Sequence, residues 1–227
     1  MTLRILLTIA VAGVISISAT PRASAADITW GPCVNETGHP SDVLAGGTLF
    51  AAVTAGKSAT VNKVKFAAES PSSNEGLITF GSAPIMVHGI QTPYESYGAP
   101  PATWDASYRA LVSGGAYSEY PSGTTAIQIT GLTAGHEYVV QIFEAFWNTN
   151  FATVFTGGQS SSCAVNLSGA AATGSAASGT AQYVVGTFVA DSDTEPISLS
   201  TTTGYVIFDA MQVRDMGVPG VSDPGAN

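Results

Sequence analysis

The chain has 227 residues, of which 16 are acidic and 7 are basic, and its formal net charge is −9. Binding to nucleic acid depends on Lys and Arg side chains that displace counterions from phosphates. A chain this acidic is therefore a poor partner for nucleic acid or for an anionic membrane surface. Its length is sufficient for one all-β domain with a sizeable core.

The N-terminal residues have the order typical of a secretory signal peptide. Arg4 precedes an apolar run from Ile5 to Ile17, and the small residues Ala23, Ser24 and Ala25 follow. The run is shorter than the roughly 20 residues that a membrane span needs. We expect residues 1–26 to be a signal peptide cleaved after Ala25 or Ala26, which predicts a secreted protein, extracellular or at the cell surface, with no membrane insertion after cleavage. A membrane anchor is the alternative interpretation of the same run.

The two cysteines, Cys33 and Cys163, lie far apart in the chain. In an exported protein an even pair of cysteines predicts a disulfide bond. Two free, buried thiols are the alternative.

Short alternating segments recur between stretches rich in Gly, Pro and Ser, which predicts an all-β sandwich. Helical spacing occurs only around Trp104 to Val112. We expect a single jelly-roll domain over residues 27–215, made of two antiparallel sheets with one short helix at most, and a disordered tail over residues 216–227. The segments Gln182 to Asp191 and Tyr205 to Arg214 are predicted to form a closing hairpin. The candidate strands are Asp27 to Trp30, Thr48 to Val53, Thr60 to Phe66, Ile78 to Phe80, Ala126 to Thr130, Tyr138 to Trp147, Gln182 to Ala190, Ile197 to Ser200 and Tyr205 to Arg214.

The segment Ile127 to Val140 has the arrangement of a tyrosine corner. Gly131 to Gly135 turns the chain, and Tyr138 begins the next strand. In such a corner the tyrosine hydroxyl bonds to the backbone a few residues upstream. The motif predicts a folding device and indicates no function.

Four segments together resemble the galactose-binding-like jelly rolls of bacterial secreted proteins, the architecture of malectin and of several carbohydrate-binding modules. They are TVNKVKF from Thr60, ITGLTAGHEYVVQIF from Ile129, QYVVGTFVAD from Gln182 and FDAMQVR from Phe208. The resemblance spans residues 27–215 and implies a glycan or polysaccharide as partner. It also implies a structural calcium ion bound by an aspartate of the last strand, which corresponds to Asp209 here. The acidic pair of the first strand is not clearly matched, since only Asp27 and Glu36 are nearby.

Two acidic residues stand on apolar strand faces. Alternation places Asp209 with Ile207 and Met211, and it places Glu144 with Val140 and Ile142. A buried carboxylate is costly unless it is hydrogen-bonded, paired or bound to a cation. The expected partner is Arg214, Arg109 or a hydroxyl, and the alternative is that the two acids form a glycosidase pair.

Aromatic residues in the predicted connections are candidates for ligand binding, because the C–H faces of pyranose rings stack on Trp and Tyr. The predicted binding residues are Trp147, Asn148, Asn150, Tyr94 and Tyr97. Aromatic side chains beneath a long connection can instead form a satellite core, which is the alternative, and Trp104, Tyr108, Tyr117 and Tyr120 share the connection with Tyr94 and Tyr97.

Other chemistries lack their motifs. His39, His88 and His136 do not have the spacing of zinc ligands, and the chain contains no G-x-S-x-G elbow and no phosphate-binding loop. We therefore expect no catalytic residues and no cofactor other than the calcium ion. The sequence favours a non-catalytic glycan-binding protein, with a structural or adhesive surface protein and a small polysaccharide-degrading enzyme as the alternatives.

Overall fold

The computed structural model describes residues 25–68, 77–79, 84–90, 92–95, 100–118, 125–145, 150–168, 181–203 and 205–221. The first half of the chain contains β1 (Thr29–Trp30), β2 (Val34–Asn35), β3 (Thr48–Thr54), β4 (Ala59–Val61), β5 (Val64–Ala68), β6 (Leu77–Thr79), β7 (Ile85–His88), β8 (Thr92–Glu95), the helix α1 (Ala106–Leu111) and β9 (Gly114–Ser118). The second half contains β10 (Ala126–Thr130), β11 (Glu137–Ala145), β12 (Asn150–Gly157), β13 (Ser160–Ser161), β14 (Val165–Ser168), β15 (Ala181–Val189), β16 (Thr194–Thr203), β17 (Val206–Phe208) and β18 (Ala210–Gly217).

The strands form an all-β sandwich, as predicted. An eight-stranded sheet has the order β1-β15-β11-β18-β3-β5-β4, with β2 paired to β15. The opposing sheet has the order β13-β12-β16-β10-β7-β6, with β14 paired to β12, and β17, β9 and β8 form a third, small sheet. The pairing is antiparallel except between β3 and β5, which run parallel.

β11, at the centre of the larger sheet, is buried on both faces over most of its length. Along β11, Tyr138, Val140 and Ile142 point into the core between the sheets, where they join side chains of the opposing sheet. The next side chains in the alternation, Phe143 and Ala145, point to the outer face and join a second core beneath α1. Burial on both faces explains why apolar side chains occupy consecutive positions of β11, such as Val139–Val140 and Ile142–Phe143, and not every second position.

The predicted helix is present as α1. The Asp105 carboxylate caps it by accepting hydrogen bonds from the backbone N–H groups of Ser107 at 2.9 Å and Tyr108 at 3.2 Å. Tyr108 and Leu111 face the second core and are fully buried. The helix has six residues, and none in the described part of the chain is long and apolar enough to cross a membrane.

The predicted strand from Thr60 to Phe66 is a hairpin instead. β4 and β5 pair with Val61 opposite Val64, and the two-residue turn consists of Asn62 and Lys63. Both turn residues have positive φ, 48° and 65°. These angles fit a type I′ turn, whose twist matches that of paired strands.

The predicted closing hairpin is wrong. β15 and β18 do not pair with each other; each pairs with β11, on opposite sides of it. The segment between them, β16, belongs to the opposing sheet, where it pairs with β10 and β12. The chain therefore passes from the larger sheet to the opposing sheet and back. As a result, β15 and β18 flank β11 in the larger sheet. The predicted final strand is also interrupted at Asp209, and β18 continues to Gly217.

Two predicted constraints are confirmed. The Tyr138 hydroxyl accepts a hydrogen bond from the Thr133 N–H at 2.9 Å, which is the expected tyrosine corner. Cys33 and Cys163 form a disulfide with a Cα–Cα distance of 5.9 Å. The bond connects the segment before β2 to the segment between β13 and β14.

Candidate functional site

Several strands begin or end together at one end of the sandwich. β11 ends at Ala145, which pairs with Ala181, the first residue of β15. β12 begins at Asn150 opposite Ser168, the last residue of β14. β16 ends nearby, with Thr203 opposite Ala152 of β12. We call this region, with the carboxyl groups of Glu36, Glu144 and Asp209, the acidic end.

Adjacent strands bring these three carboxyl groups together. The Glu36 N–H donates to the Ala181 carbonyl at 2.9 Å, and Ala181 pairs with Ala145. The Ala145 N–H in turn donates to Oδ2 of Asp209. Glu144 and Asp209 are fully buried, and Glu36 is 7% exposed. The Asp209 side chain thus accepts a bond from β11 at the point where the ladder with β18 ends.

Burial dominates the electrostatics of these groups. Loss of solvation raises the pKa of Glu144 well above its ordinary value, and the charge of Asp209 raises it further, while the Thr153 hydroxyl opposes the shift. Burial likewise raises the pKa of Glu36, with added repulsion from Asp209 and Asp42. The charged form of each glutamate is disfavoured, because few donors replace the lost water.

The two glutamates lack the partners that buried carboxyl groups ordinarily have. Neither oxygen of Glu36 or of Glu144 has a hydrogen-bond partner within the described residues. The Tyr108 hydroxyl lies beside Glu36 and lowers its pKa, but the two groups do not reach hydrogen-bond geometry. Asp42 differs, because it accepts bonds from the backbone N–H groups of Thr37 at 2.7 Å and Gly38 at 3.0 Å. Glu36 and Glu144 therefore need a proton or a cation to neutralise them.

Carboxylate oxygens are the ligands that a hard cation such as calcium takes. In the resembled modules an acidic pair of the first strand binds the ion together with the last-strand aspartate. Of the two nearby acids, Glu36 is the one whose pKa the charge of Asp209 affects here. Across the described ranges, however, no three side chains of the types His, Cys, Asp or Glu converge closely enough to hold a metal ion. A calcium ion at Asp209 therefore stays a prediction.

The expected ion pair with Arg214 is wrong. Its guanidinium donates to the backbone carbonyl groups of residues 44–47, including that of Gly47 at 3.0 Å, and to Gln212 Oε1 at 3.2 Å. It lies on the outer face of the larger sheet and borders an open cavity of about 320 Å³ that Lys63 also lines. The arginine binds backbone carbonyl groups and not a carboxylate. Strand alternation in the sequence does not show which backbone groups lie near a side chain.

Most of the predicted binding residues lie outside what the structure describes. Tyr97, Trp147 and Asn148 are not among the described residues, and only the backbone placement of Tyr94 and Asn150 is described. Tyr94 pairs with Gly115 in the small sheet, and Asn150 begins β12 at the acidic end. Trp147 and Asn148 follow Ala145 in the chain by two and three residues.

Two of the other aromatic residues, Trp104 and Tyr108, pack in a satellite core, which was the alternative to ligand binding. The rings of Trp104 and Tyr108 meet edge to face with centroids 5.7 Å apart. Tyr108 is fully buried against the larger sheet, where it also contacts Phe143. These side chains belong to the satellite core beneath α1.

An exposed tyrosine, Tyr205, packs against the partly buried Tyr117 near the acidic end. The rings of Tyr117 and Tyr205 are 5.3 Å apart, and Tyr205 is 40% exposed. β17 connects Tyr205 to Asp209 and pairs with the end of β9, with Val206 opposite Ser118. Sequence reasoning did not select Tyr205, because it opens the apolar segment YVIF and resembles a core residue there.

Comparisons with known proteins give a distant likeness only. No protein-family model matches the chain, and no curated protein matches it significantly. A structure of Bacteroides uniformis beta-glucuronidase 2, covalently bound to cyclophellitol-6-carboxylate aziridine, is similar with a TM-score of 0.49 and 12% identity over 73% of this chain and 17% of that chain. A second structure, of Bacteroides uniformis beta-glucuronidase, has a TM-score of 0.44 and 11% identity over 73% of this chain and 18% of that chain. The chain thus spans less than a fifth of the length of those enzymes, and the named activity is theirs.

Proposed function

We propose that this chain is an exported, non-catalytic β-sandwich that binds a glycan at its acidic end. The exposed Tyr205 ring carries the proposal. The ring contacts Tyr117 and stands just before β17, which leads to Asp209. Asp209 in turn contacts the end of β11, from which the segment containing Trp147 and Asn148 departs. Rigid aromatic faces beside amide side chains are suited to sugars, because C–H faces stack on the rings and hydroxyl groups bond to the amides.

The burial of the carboxyl groups favours binding over catalysis. A glycosidase acid and its partner must both reach the scissile bond across a cleft. Glu144 and Asp209 have no exposed surface. In this arrangement a sugar does not reach them, which supports a role in holding the acidic end together.

The disulfide between Cys33 and Cys163 supports export. Such bonds form and persist in oxidising compartments. The predicted signal peptide would also direct the chain out of the cytoplasm. A glycan partner outside the cell is consistent with the disulfide and with the signal peptide.

Binding to a panel of soluble and insoluble polysaccharides tests the proposal. We expect the wild type to bind at least one member, with affinity about tenfold lower in Tyr205→Ala and in Trp147→Ala. Val189→Ala is the matched control, because Val189 is 47% exposed and ends β15 away from the acidic end. Its affinity should equal that of the wild type.

Three results would separate the alternatives. A wild type that binds no polysaccharide would favour a structural or adhesive protein. Equal losses in Tyr205→Ala and Val189→Ala would place the site elsewhere. Release of reducing sugar that disappears in Glu144→Gln would instead support an enzyme.

A further inference from the structure

Glu195 is a buried carboxylate that faces the backbone of Ala26. Its Oε2 atom accepts a hydrogen bond from the Ala26 nitrogen at 2.8 Å. Glu195 is 1% exposed and Ala26 is 8% exposed. The other carboxylate oxygen, Oε1, has no hydrogen-bond partner in the part of the chain that is described. Among the described residues, one backbone N–H is thus the only donor to a buried group with two oxygens.

The chain is fixed in the sandwich from Ala26 onward. The Ala26 methyl group and the fully buried Ile28 belong to the core between the sheets. Between them, Asp27 accepts a hydrogen bond from the Gln159 N–H at 2.6 Å. A terminus is ordinarily loose unless specific contacts hold it, so the docking of Ala26 itself requires a reason.

Among the described residues, no positive charge contributes to the electrostatics of Glu195. Burial raises the pKa of Glu195 to about 7, and Asp191 and Asp27 add repulsion. The ion pair recorded among the described residues is a different one, between His136 and Asp215 at 3.0 Å. A buried carboxylate is stabilised by a cation that also donates hydrogen bonds.

We propose that the Ala25–Ala26 peptide bond is the processing site, and that the new α-ammonium group of Ala26 forms a buried ion pair with Glu195. A peptidase of the export route adds water across the bond, leaving a carboxylate on Ala25 and an amine on Ala26. This amine takes up a proton at neutral pH. The nitrogen that donated one neutral hydrogen bond in the precursor then carries a charge and three N–H groups.

The position of the cut follows from the packing. The predicted signal peptide allows cleavage after Ala25 or after Ala26. Cleavage after Ala26 would remove its methyl group from the core and take away the nitrogen that Glu195 contacts. Cleavage after Ala25 keeps both contacts and supplies the missing charge. The inference rests on export of the chain and is independent of glycan binding.

N-terminal sequencing of the protein secreted by an exporting host tests the site. We expect a single sequence that begins Ala26-Asp27-Ile28. A sequence that begins at Asp27, or an intact N-terminus on the secreted protein, would overturn the proposal.

Selective acetylation of the secreted protein tests the ion pair. The modification is made in urea near neutral pH, where the α-amine of the unfolded chain reacts before the three lysines because its pKa is lower, and the protein is then refolded. We expect acetylation to raise the unfolding equilibrium constant of the wild type by about tenfold or more, because it leaves the buried Glu195 charge without its cation. In Glu195→Gln the same acetylation should not raise the constant, since no buried carboxylate remains to lose its cation.

Asp193→Asn is the matched control, because it removes an acidic charge two residues away on the exposed approach to β16. Acetylation should destabilise this variant as much as it destabilises the wild type. An unchanged unfolding constant in the acetylated wild type would contradict the ion pair, and this comparison does not require the Glu195→Gln variant to fold. An equal effect of acetylation in Glu195→Gln and the wild type would also contradict it.

Discussion

Glu36 and Asp209 lie close enough in the folded core for the charge of Asp209 to raise the pKa of Glu36, although they come from opposite ends of the chain. Glu144 experiences the same charge from the neighbouring strand. Ionising all three carboxyl groups inside the sandwich is therefore unfavourable. The acidic end is stable only when protons or a cation neutralise part of this charge.

Stability should fall as pH rises if protons neutralise the cluster. The pKa values of Glu36 and Glu144 are raised in the folded state above their ordinary value of 4.5. Their contribution is thus fully present below about pH 4.5 and is lost as pH rises through the folded-state pKa. We expect Glu144→Gln to be more stable than the wild type at pH 8 by about 1–3 kcal/mol, and the difference to shrink at pH 5. Urea unfolding at the two pH values measures it.

Glu137→Gln is the control for this experiment, because Glu137 is only partly buried and begins the same strand, β11. Its stability should follow the wild type at both pH values. A Glu144→Gln variant that is less stable than the wild type at pH 8 would show that the ionised carboxylate is required.

If a calcium ion neutralises the cluster, Glu144→Gln should be less stable than the wild type at pH 8, because the ion would lose a ligand. If calcium neutralises the cluster, thermal unfolding of the wild type should shift upward by several degrees when calcium replaces a chelator. The shift should disappear in Asp209→Asn, which keeps an oxygen able to accept the Ala145 N–H. Identical unfolding temperatures in calcium and in chelator, with no calcium detected by elemental analysis, would show that the protein binds no structural calcium ion.

The tyrosine corner should contribute measurably to stability. Tyr138→Phe removes the acceptor of the Thr133 N–H and leaves that donor without its partner. We expect a loss of about 1–2 kcal/mol in the free energy of unfolding. Thr133→Ala retains the backbone N–H and should change stability little. Equal losses in the two variants would mean that the side-chain contacts of the turn matter more than this hydrogen bond.

A substitution in the turn between β4 and β5 should increase the stability of the protein. Lys63 has φ 65°, a left-handed conformation that costs a side chain energy and that glycine adopts readily. We expect Lys63→Gly to stabilise the protein by about 0.5–1 kcal/mol in urea unfolding. Lys65→Gly, in the strand β5, should destabilise it by a similar amount. A loss of stability in Lys63→Gly would show that the lysine makes a contact that outweighs the strain.

Periodicity predicted individual strands well and their pairing poorly. The segment Ala126 to Thr130 alternates clearly, and β10 has those bounds. The turn at Asn62 and Lys63 was missed because it has no glycine to mark it. Pairing of β15 and β18 with β11 depends on contacts between residues distant in sequence, which local alternation does not encode.

The candidate site was predictable where a charge stood among apolar residues. That contrast selected Asp209 and Glu144, and both are fully buried. Glu36 and Tyr108 join them through the docking of the N-terminal segment and α1, which local patterns do not reveal. Tyr205 was missed because an exposed tyrosine at the start of an apolar strand has the sequence pattern of a core residue.

Chemical-shift mapping would show whether a glycan binds at the acidic end. The ¹⁵N-labelled secreted protein would be titrated with an oligosaccharide of the polysaccharide that it binds best. We expect saturable shifts of backbone amides at the acidic end, at Ser118, Ala145 and Val206, with none at Glu137 or Val189. Shifts confined to Glu137 and Val189, or no shifts at saturating oligosaccharide, would contradict this expectation.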